Sequence, residues 1–299
     1  MKKSKTALGI VLSLLGGIFW GFSGSCGQYL FTYHSVDSRW LVSVRMIISG
    51  AILLGASALK HKKEIFVIWK GKSNFIRMAA FTIFGLVLCQ YAYFTAIQLS
   101  DAGTATVLQY LSPAMILVFL CVKNKKPPLL KETVAIILAI GGTYIIATGG
   151  ATSLSISPKA LVWGLLAGVF LACYSLIPVP LLKISDTPTV LGWGTLIGGL
   201  VMLPVFRPWE MMPQITFSLV AAASGIIIFG TVLAYSFYLE GINLIGATKA
   251  SIISSIEPVA ATVIAALWLG TEFSFTDIIG FIMIISTILI ISIKKEPKQ

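Results

Sequence analysis

The stretch Ala247-Thr-Lys-Ala-Ser-Ile-Ile-Ser-Ser-Ile-Glu257-Pro258-Val-Ala-Ala-Thr-Val-Ile-Ala-Ala-Leu-Trp-Leu269 is an apolar run of membrane length with a carboxylate about ten residues in. A charged side chain at that depth costs on the order of 2.5–3.5 kcal/mol even on insertion scales, so Glu257 is expected to face protein or water. Proline at the next position removes a backbone donor and frees a carbonyl one turn back, which membrane helices tolerate where they line a cavity or bend. A lone intramembrane Glu also fits a structural pair with a basic or hydroxyl group on a neighbouring helix. Its surroundings favour a pathway instead: Thr248, Ser251, Ser255 and Thr262 recur at helical spacing around it, which marks a wet or hydrogen-bonded face.

The rest of the chain has the same character. Of 299 residues, 57% are hydrophobic and 11% charged, and the mean hydropathy is +0.94, outside the range of water-soluble domains. Reading at about 20 apolar residues per span predicts ten: Ala7 to Phe31, Ser38 to Leu59, Asn74 to Leu99, Ala102 to Val122, Glu132 to Gly149, Pro158 to Leu182, Pro188 to Phe206, Gln214 to Leu239, Ala247 to Leu269 and Phe275 to Ile293. The fold class is therefore an all-α membrane protein. The first run is too long for a signal-peptide core and lacks a small-x-small cleavage site, so it is read as a retained helix.

The net charge of +11 follows the bilayer. With the N-terminus inside, 18 of the 22 Lys and Arg residues fall on the inner side, against Arg39, Lys159 and Arg207 outside and Arg45 within a span. This predicts N-in and C-in. Nucleic acid is excluded as a partner because base-stacking grooves and long basic arms are absent. The longest inner loop, Lys60 to Ser73, places Ile65, Phe66, Ile68 and Trp69 between lysines and reads as an anchor on the headgroups. Tyr33, Trp40, Trp163 and Trp209, near span ends, read as interfacial anchors. Cys26, Cys89, Cys121 and Cys173 share no metal-ligand spacing and read as small buried residues; no cofactor is expected.

Two offsets reveal an internal repeat. At 145 residues, Tyr93, Ile97, Leu99, Ala102, Ala105, Thr106 and Pro113 fall on Tyr238, Ile242, Leu244, Ala247, Ala250, Ser251 and Pro258. At 151, the small-residue ladder Ser13, Gly17, Gly21 falls on Gly164, Gly168, Ala172, a close-packing face. Two matches in the same order predict five spans duplicated, residues 1–150 and 151–299. Five is odd, so the copies enter the membrane in opposite senses and place a site near the midplane between them, opened to each side in turn. Glu257 and Arg45 have no charged counterpart in the other copy: Ser112 answers Glu257, and the region around Gly194 answers Arg45. An Arg45–Glu257 pair across the cavity is one possibility; Arg45 snorkelling or bonding helix-end carbonyls is the other.

Polar and aromatic candidates for substrate contact are Trp20, Ser23, Gln90, Tyr93, Gln109, Tyr110, Tyr174, Tyr235, Tyr238 and Ser255, with Gln28 beside them in the first span. Buried Tyr, Trp and Gln need hydrogen-bond partners, which a polar cavity supplies. Pro113, Pro178, Pro180 and Pro258 are hinge candidates.

Gly17-Ile-Phe-Trp20-Gly21-Phe-Ser23, Arg45, Ser112-Pro113-Ala114, Glu257-Pro258-Val-Ala and Leu269-Gly270-Thr271-Glu272 together resemble the drug/metabolite transporter superfamily, in its ten-span branch of two EamA-type repeats. The resemblance implies secondary transport of a small-molecule substrate, commonly outward and often coupled to protons, with amino acids or related compounds foremost and sugars, amines or nucleosides as alternatives. It leaves a homodimer open. Met46 stands where the family pattern has Phe. A passive channel usually needs a ring of like charges or carbonyls, which one Glu and one Arg do not supply. An enzyme is not expected: there is no His-Glu-x-x-His, Gly-x-Ser-x-Gly or glycine-rich phosphate loop, and the two histidines, His34 and His61, sit in loops on opposite sides.

Overall fold

The computed structural model describes residues 2–125, 127–149, 156–245, 250, 253–254 and 256–292. Among these the secondary structure is entirely helical. The helices are α1 (Lys2–His34), α2 (Ser38–His61), α3 (Lys72–Leu99), α4 (Ala102–Gln109), α5 (Ser112–Asn124) and α6 (Leu130–Thr148). They continue with α7 (Pro158–Leu176), α8 (Thr187–Phe206), α9 (Phe217–Ile245), α10 (Glu257–Leu269) and α11 (Phe275–Ser292).

Among the described residues six helical segments are long and apolar enough to cross a bilayer: α1, α2, α3, α7 with its extension to Lys183, α8 and α9. The sequence predicted ten spans. Of the other four, α6 and α11 are unbroken helices of 19 and 18 residues, and proline interrupts the remaining two. Pro113 gives no N–H to the Gln109 carbonyl, so the predicted fourth span breaks at Tyr110 and Leu111 into α4 and α5. The same break precedes Pro258, leaving α10 with 13 residues. The two breaks are wired alike. The N–H of Leu111 donates to the Leu108 carbonyl at 3.1 Å and that of Met115 to Leu111 at 3.0 Å. The N–H of Ile256 donates to Ile253 at 3.4 Å and that of Ala260 to Ile256 at 2.8 Å, in each case 145 residues on.

A second irregularity also recurs. α3 and α9 each contain a π-helical turn, Phe81–Val87 and Ile228–Leu233, with Gly85 and Gly230 at the 145-residue spacing. Such a turn carries one residue more than an α-turn and redirects the carbonyls beside it.

Packing exchanges partners between the two halves of the chain. α1 lies on α9 and α10, whereas α7 lies on α3 and α4; α2 pairs with α8, and α6 with α11. The small-residue ladder makes these crossings possible. A Cβ on Gly21 would stand 2.7 Å from the Ala261 nitrogen and 2.9 Å from the Glu257 carbonyl oxygen, backbone atoms that have no rotamer to yield. One turn earlier Gly17 abuts the Ser254 carbonyl, and its match Gly168 abuts the Gln109 carbonyl, the two oxygens freed by Pro258 and Pro113.

The inner-loop segment does more than float on headgroups. Lys62–Trp69 is a 3₁₀ helix with Ile65 and Ile68 buried, and Phe66 and Trp69 each pack on Trp193 at 5.5 Å. The Trp193 indole donates to the Ile65 carbonyl at 2.9 Å. Trp40 is likewise buried rather than interfacial and donates to Met212 Sδ, while Tyr33 and Trp209 are exposed as expected.

Asp37 opens α2. Its carboxylate accepts the Arg39 N–H at 2.8 Å and the Arg39 guanidinium at 2.9 and 2.8 Å, and the Arg39 side chain holds it below the usual carboxylate range. A depressed folded value gives stability that is present above the unfolded pKa of about 4 and lost as pH falls through the folded one. Asp37→Ala is therefore expected to destabilise by about 1 kcal/mol near pH 7, with the difference from wild type closing below about pH 4. Gly21→Ala is expected to cost about 1–3 kcal/mol. Gly55→Ala, with nothing within 4 Å of the added carbon, is expected to be neutral or mildly stabilising. Thermal unfolding in detergent reads all three.

Candidate functional site

The exchanged helices leave a cavity of about 380 Å³ between the two halves. Its wall comes from both: Trp20 and Ser23 of α1, Arg45 of α2, Cys89, Gln90 and Tyr93 of α3, Gln109 and Tyr110 at the α4–α5 break, and Ser112 of α5. The later half contributes Tyr174 of α7, Tyr235 and Tyr238 of α9, the Ser254 position and Glu257. Nine of the ten predicted substrate-contact residues thus share one cavity with both charged candidates. Ser255 lies outside the described residues, as do Thr248 and Ser251. Gln28 is elsewhere, its amide donating to Thr271 Oγ1 at 2.7 Å and its oxygen accepting the Ala102 N–H at 2.8 Å.

Glu257 is the first residue of α10 and is 5% exposed. Position 257 faces the partner half because Gly17 and Gly21 bring α1 against the backbone of this segment. The Tyr110 hydroxyl lies 2.9 Å from Glu257 Oε2 and 3.1 Å from the Ser254 carbonyl. That carbonyl is the one whose helical donor Pro258 removes, so proline at 258 creates an acceptor and Tyr110 uses it. A phenol has a single proton and here two acceptors. With Glu257 ionised the proton goes to the carboxylate; with Glu257 protonated, the acid can donate to the phenol oxygen while the phenol turns to Ser254. One protonation event at Glu257 thereby reverses the hydrogen bonding between the halves.

Arg45 is 3% exposed and forms no ion pair with Glu257 among the described contacts. The second expectation for it fits better: it bonds a carbonyl at a helix irregularity. Arg45 Nε donates to Thr231 Oγ1 at 2.7 Å and Nη2 to the Gly230 carbonyl at 3.2 Å, both in the π-turn of α9. The Thr231 hydroxyl in turn donates to the Ile226 carbonyl at 3.1 Å, and the guanidinium sits 5.0 Å over the Phe94 ring. A cation and a carboxylate therefore face one cavity without neutralising each other.

Several polar atoms in the wall have no partner among the described residues: Trp20 Nε1, both amide atoms of Gln90, and the Tyr174 hydroxyl. Buried polar atoms are normally paired, so a cluster of unpaired ones marks a place that receives water or a ligand. Tyr235 joins the aromatic wall, with its ring 5.3 Å from Trp20 and 5.4 Å from Tyr174. Tyr93 is satisfied locally by Thr106 at 2.8 Å, and Gln109 donates to Cys89 Sγ.

The lining of the cavity reaches the end of α7. There Leu176 and Val179 are 57% and 49% exposed, and Pro178 and Leu182 complete the rim. α7 stops at Leu176, passes through a turn over Pro178 and Pro180, and resumes as a 3₁₀ turn at Leu181–Lys183. Pro178 lines the cavity and Pro180 does not. Pro113 and Pro258 stand in the first turns of α5 and α10. The residues missed in the sequence are Cys89 and Thr231. Nothing in local composition announces a π-turn, whereas the Ser254 carbonyl was signalled by Pro258 four positions later.

Comparison with known proteins bears on this geometry. The profile of the EamA-like transporter family matches the chain twice, over residues 7–148 and 158–293. An uncharacterized inner membrane transporter, YicL, of Salmonella typhimurium is 34% identical over 294 residues, 98% of either chain. An uncharacterized transporter, YyaM, of Bacillus subtilis is 24% identical over 94% of this chain and 93% of its own. A protein of known crystal structure superposes with a TM-score of 0.62 at 16% identity, covering 97% of this chain and 96% of that one, which shows a shared fold. These relatives are transporters rather than enzymes. The chain is a multi-pass membrane protein and belongs to the EamA-like transporter family of the drug/metabolite transporter superfamily.

Proposed function

We propose that this transporter is a secondary carrier of the plasma membrane that exports a small metabolite, an amino acid or related compound foremost, by alternating access. The observation that carries the reading is the buried Glu257 in a cavity built by both halves and hydrogen-bonded to Tyr110 of the other half. A carrier needs a group that responds to cargo or proton and that ties together the bodies that must move. Glu257 fits that requirement as the proton-responsive or amine-binding group. Trp20, Ser23, Gln90, Tyr93, Gln109, Tyr110, Tyr174, Tyr235, Tyr238 and Ser255 shape and orient the cargo.

The architecture behind this reading is ten spans in two five-span repeats of opposite topology, residues 1–150 and 151–299. The paired proline breaks and paired π-turns 145 residues apart, and the exchange of α1 and α7 between halves, support it. Discontinuous helices at the repeat interface are the usual site-builders in such carriers. With N-in orientation the rim at Leu176, Pro178 and Leu182 opens to the cytoplasm, so the conformation described is the one that loads an exported solute. Pro178 and Pro180, with the breaks at Pro113 and Pro258, are the hinges on which the rim would close. In exchange, a proton entering from outside neutralises Glu257, frees the Tyr110 proton for Ser254, and lets a cationic amine leave.

Counterflow of pooled labelled amino acids in proteoliposomes is expected in wild type. Its absence for every amino acid, with monodisperse folded protein, would refute the amino-acid assignment. Glu257→Gln is expected to retain counterflow while losing the pH dependence of uphill transport; an unchanged pH profile would remove Glu257 from coupling. Tyr110→Phe leaves the carboxylate and the Ser254 carbonyl without this donor and is expected to cost about 1–3 kcal/mol of stability, read by thermal unfolding, together with a slower uphill rate.

A further inference from the structure

The unpaired groups in the cavity wall are unequal in kind. Arg45 can only donate and is always charged; Trp20 Nε1 can only donate; Tyr174 and Gln90 offer an O–H and an NH₂. All four line the cavity, and Arg45, Gln90 and Tyr174 are 3%, 3% and 4% exposed. Among the described residues Trp20 Nε1, the Gln90 amide and the Tyr174 hydroxyl lack partners, and Arg45 is bonded through Nε and Nη2 but not Nη1. A group that satisfies the donors of this set accepts several hydrogen bonds and carries negative charge beside Arg45, while the amide oxygen of Gln90, also without a partner among the described residues, takes a donor of the same cargo. Among the described residues only one cation stands there, and the carboxylate of Glu257 belongs to the same cavity, so the charge that fits is a single one.

The second part of the argument is how Arg45 is held. A guanidinium without fixed partners could turn away from the cavity. The π-turn of α9 prevents this by presenting two neutral acceptors, Thr231 Oγ1 and the Gly230 carbonyl, to two of its three nitrogens. Thr231 can accept because its own proton is committed to the Ile226 carbonyl, a bond spanning five residues. Phe94 closes the opposite face of the guanidinium. The charge is thus fixed in direction without being cancelled.

We infer that this pole of the cavity is the subsite for a monoanionic carboxylate on the cargo, received by Arg45, Gln90, Trp20 and Tyr174, with Thr231 as the residue that positions Arg45. The inference rests on the transport reading and narrows it: uncharged sugars and nucleosides and simple amines lack the group that this pole receives.

The test uses the full-length protein in proteoliposomes and a matched panel: labelled L-amino acids, their carboxamides, the corresponding decarboxylated amines, glucose, uridine and glycerol 3-phosphate. Counterflow is expected for the carboxylates alone. Thr231→Val keeps the side-chain shape but removes the acceptor, and is expected to raise KM for the carboxylates roughly tenfold with maximal rate retained, and Thr231→Ser to restore it. A purely structural threonine would leave the preference for acid over amide untouched. Counterflow of amides, amines, glucose or uridine on a par with the acids overturns the subsite while leaving the carrier reading intact. Preference for the phosphate ester overturns the single-charge assignment. Carboxylate transport with an unchanged KM in Thr231→Val overturns the positioning role, and no counterflow of any panel member by folded protein overturns subsite and carrier reading together.

Discussion

The hydrogen bond between Tyr110 and Glu257 is the constraint on which the rest of this molecule depends. A carboxylate at membrane depth is tolerated only where something other than lipid receives it. Here the receiver comes from the other half of the chain, so the cost of Glu257 is offset only while the halves face each other across a cavity. The adjacent proline sharpens the arrangement. By removing one N–H it frees the Ser254 carbonyl, and Tyr110 lies within reach of both oxygens. A single side chain thus bridges the acid and the backbone of a broken helix.

The second charge follows a different rule. Arg45 is held by a π-turn, a neutral hydroxyl and an aromatic face rather than by an acid. A buried ion pair between Arg45 and Glu257 would leave the cavity electrically silent. Leaving the two unpaired with each other keeps both available, and Trp20, Gln90 and Tyr174 add polar atoms to the same wall that have no partner among the described residues. The same wall that is costly when empty of partners becomes favourable when a solute of matching polarity fills it.

Much of this was legible in the sequence, for reasons that can be named. Glu257 and Pro258 stand out because an acid and a proline are both anomalous in an apolar run, and the 145-residue match of Pro113 to Pro258 located the paired breaks that the backbone then displays. Trp20, Gln90 and the tyrosines were found because large polar-tipped side chains in membrane spans must go somewhere wet. Gln28 satisfied the same criterion and went instead to Ala102 and Thr271, since residue type alone does not say which face of a helix is which. The breaks inside the fourth and ninth predicted spans were harder to read, because a window of hydropathy passes over a proline that interrupts a helix. The π-turns left no trace in composition: Gly85 and Gly230 look like any membrane glycine, so the partner of Arg45 became visible only in three dimensions.

The central claim is that the cavity between the halves is the solute path and is exposed to each side in turn. Cys89 lines it, and in a variant whose other three cysteines are replaced by serine or alanine it is a native reporter. The measurement is its rate of modification by a membrane-impermeant thiol reagent, applied from each side of oriented vesicles with and without transported solute. The account predicts reaction from both sides, faster from the face carrying the Pro178 rim, and slowed from both by solute. Reaction from one side only, indifferent to solute, would contradict it.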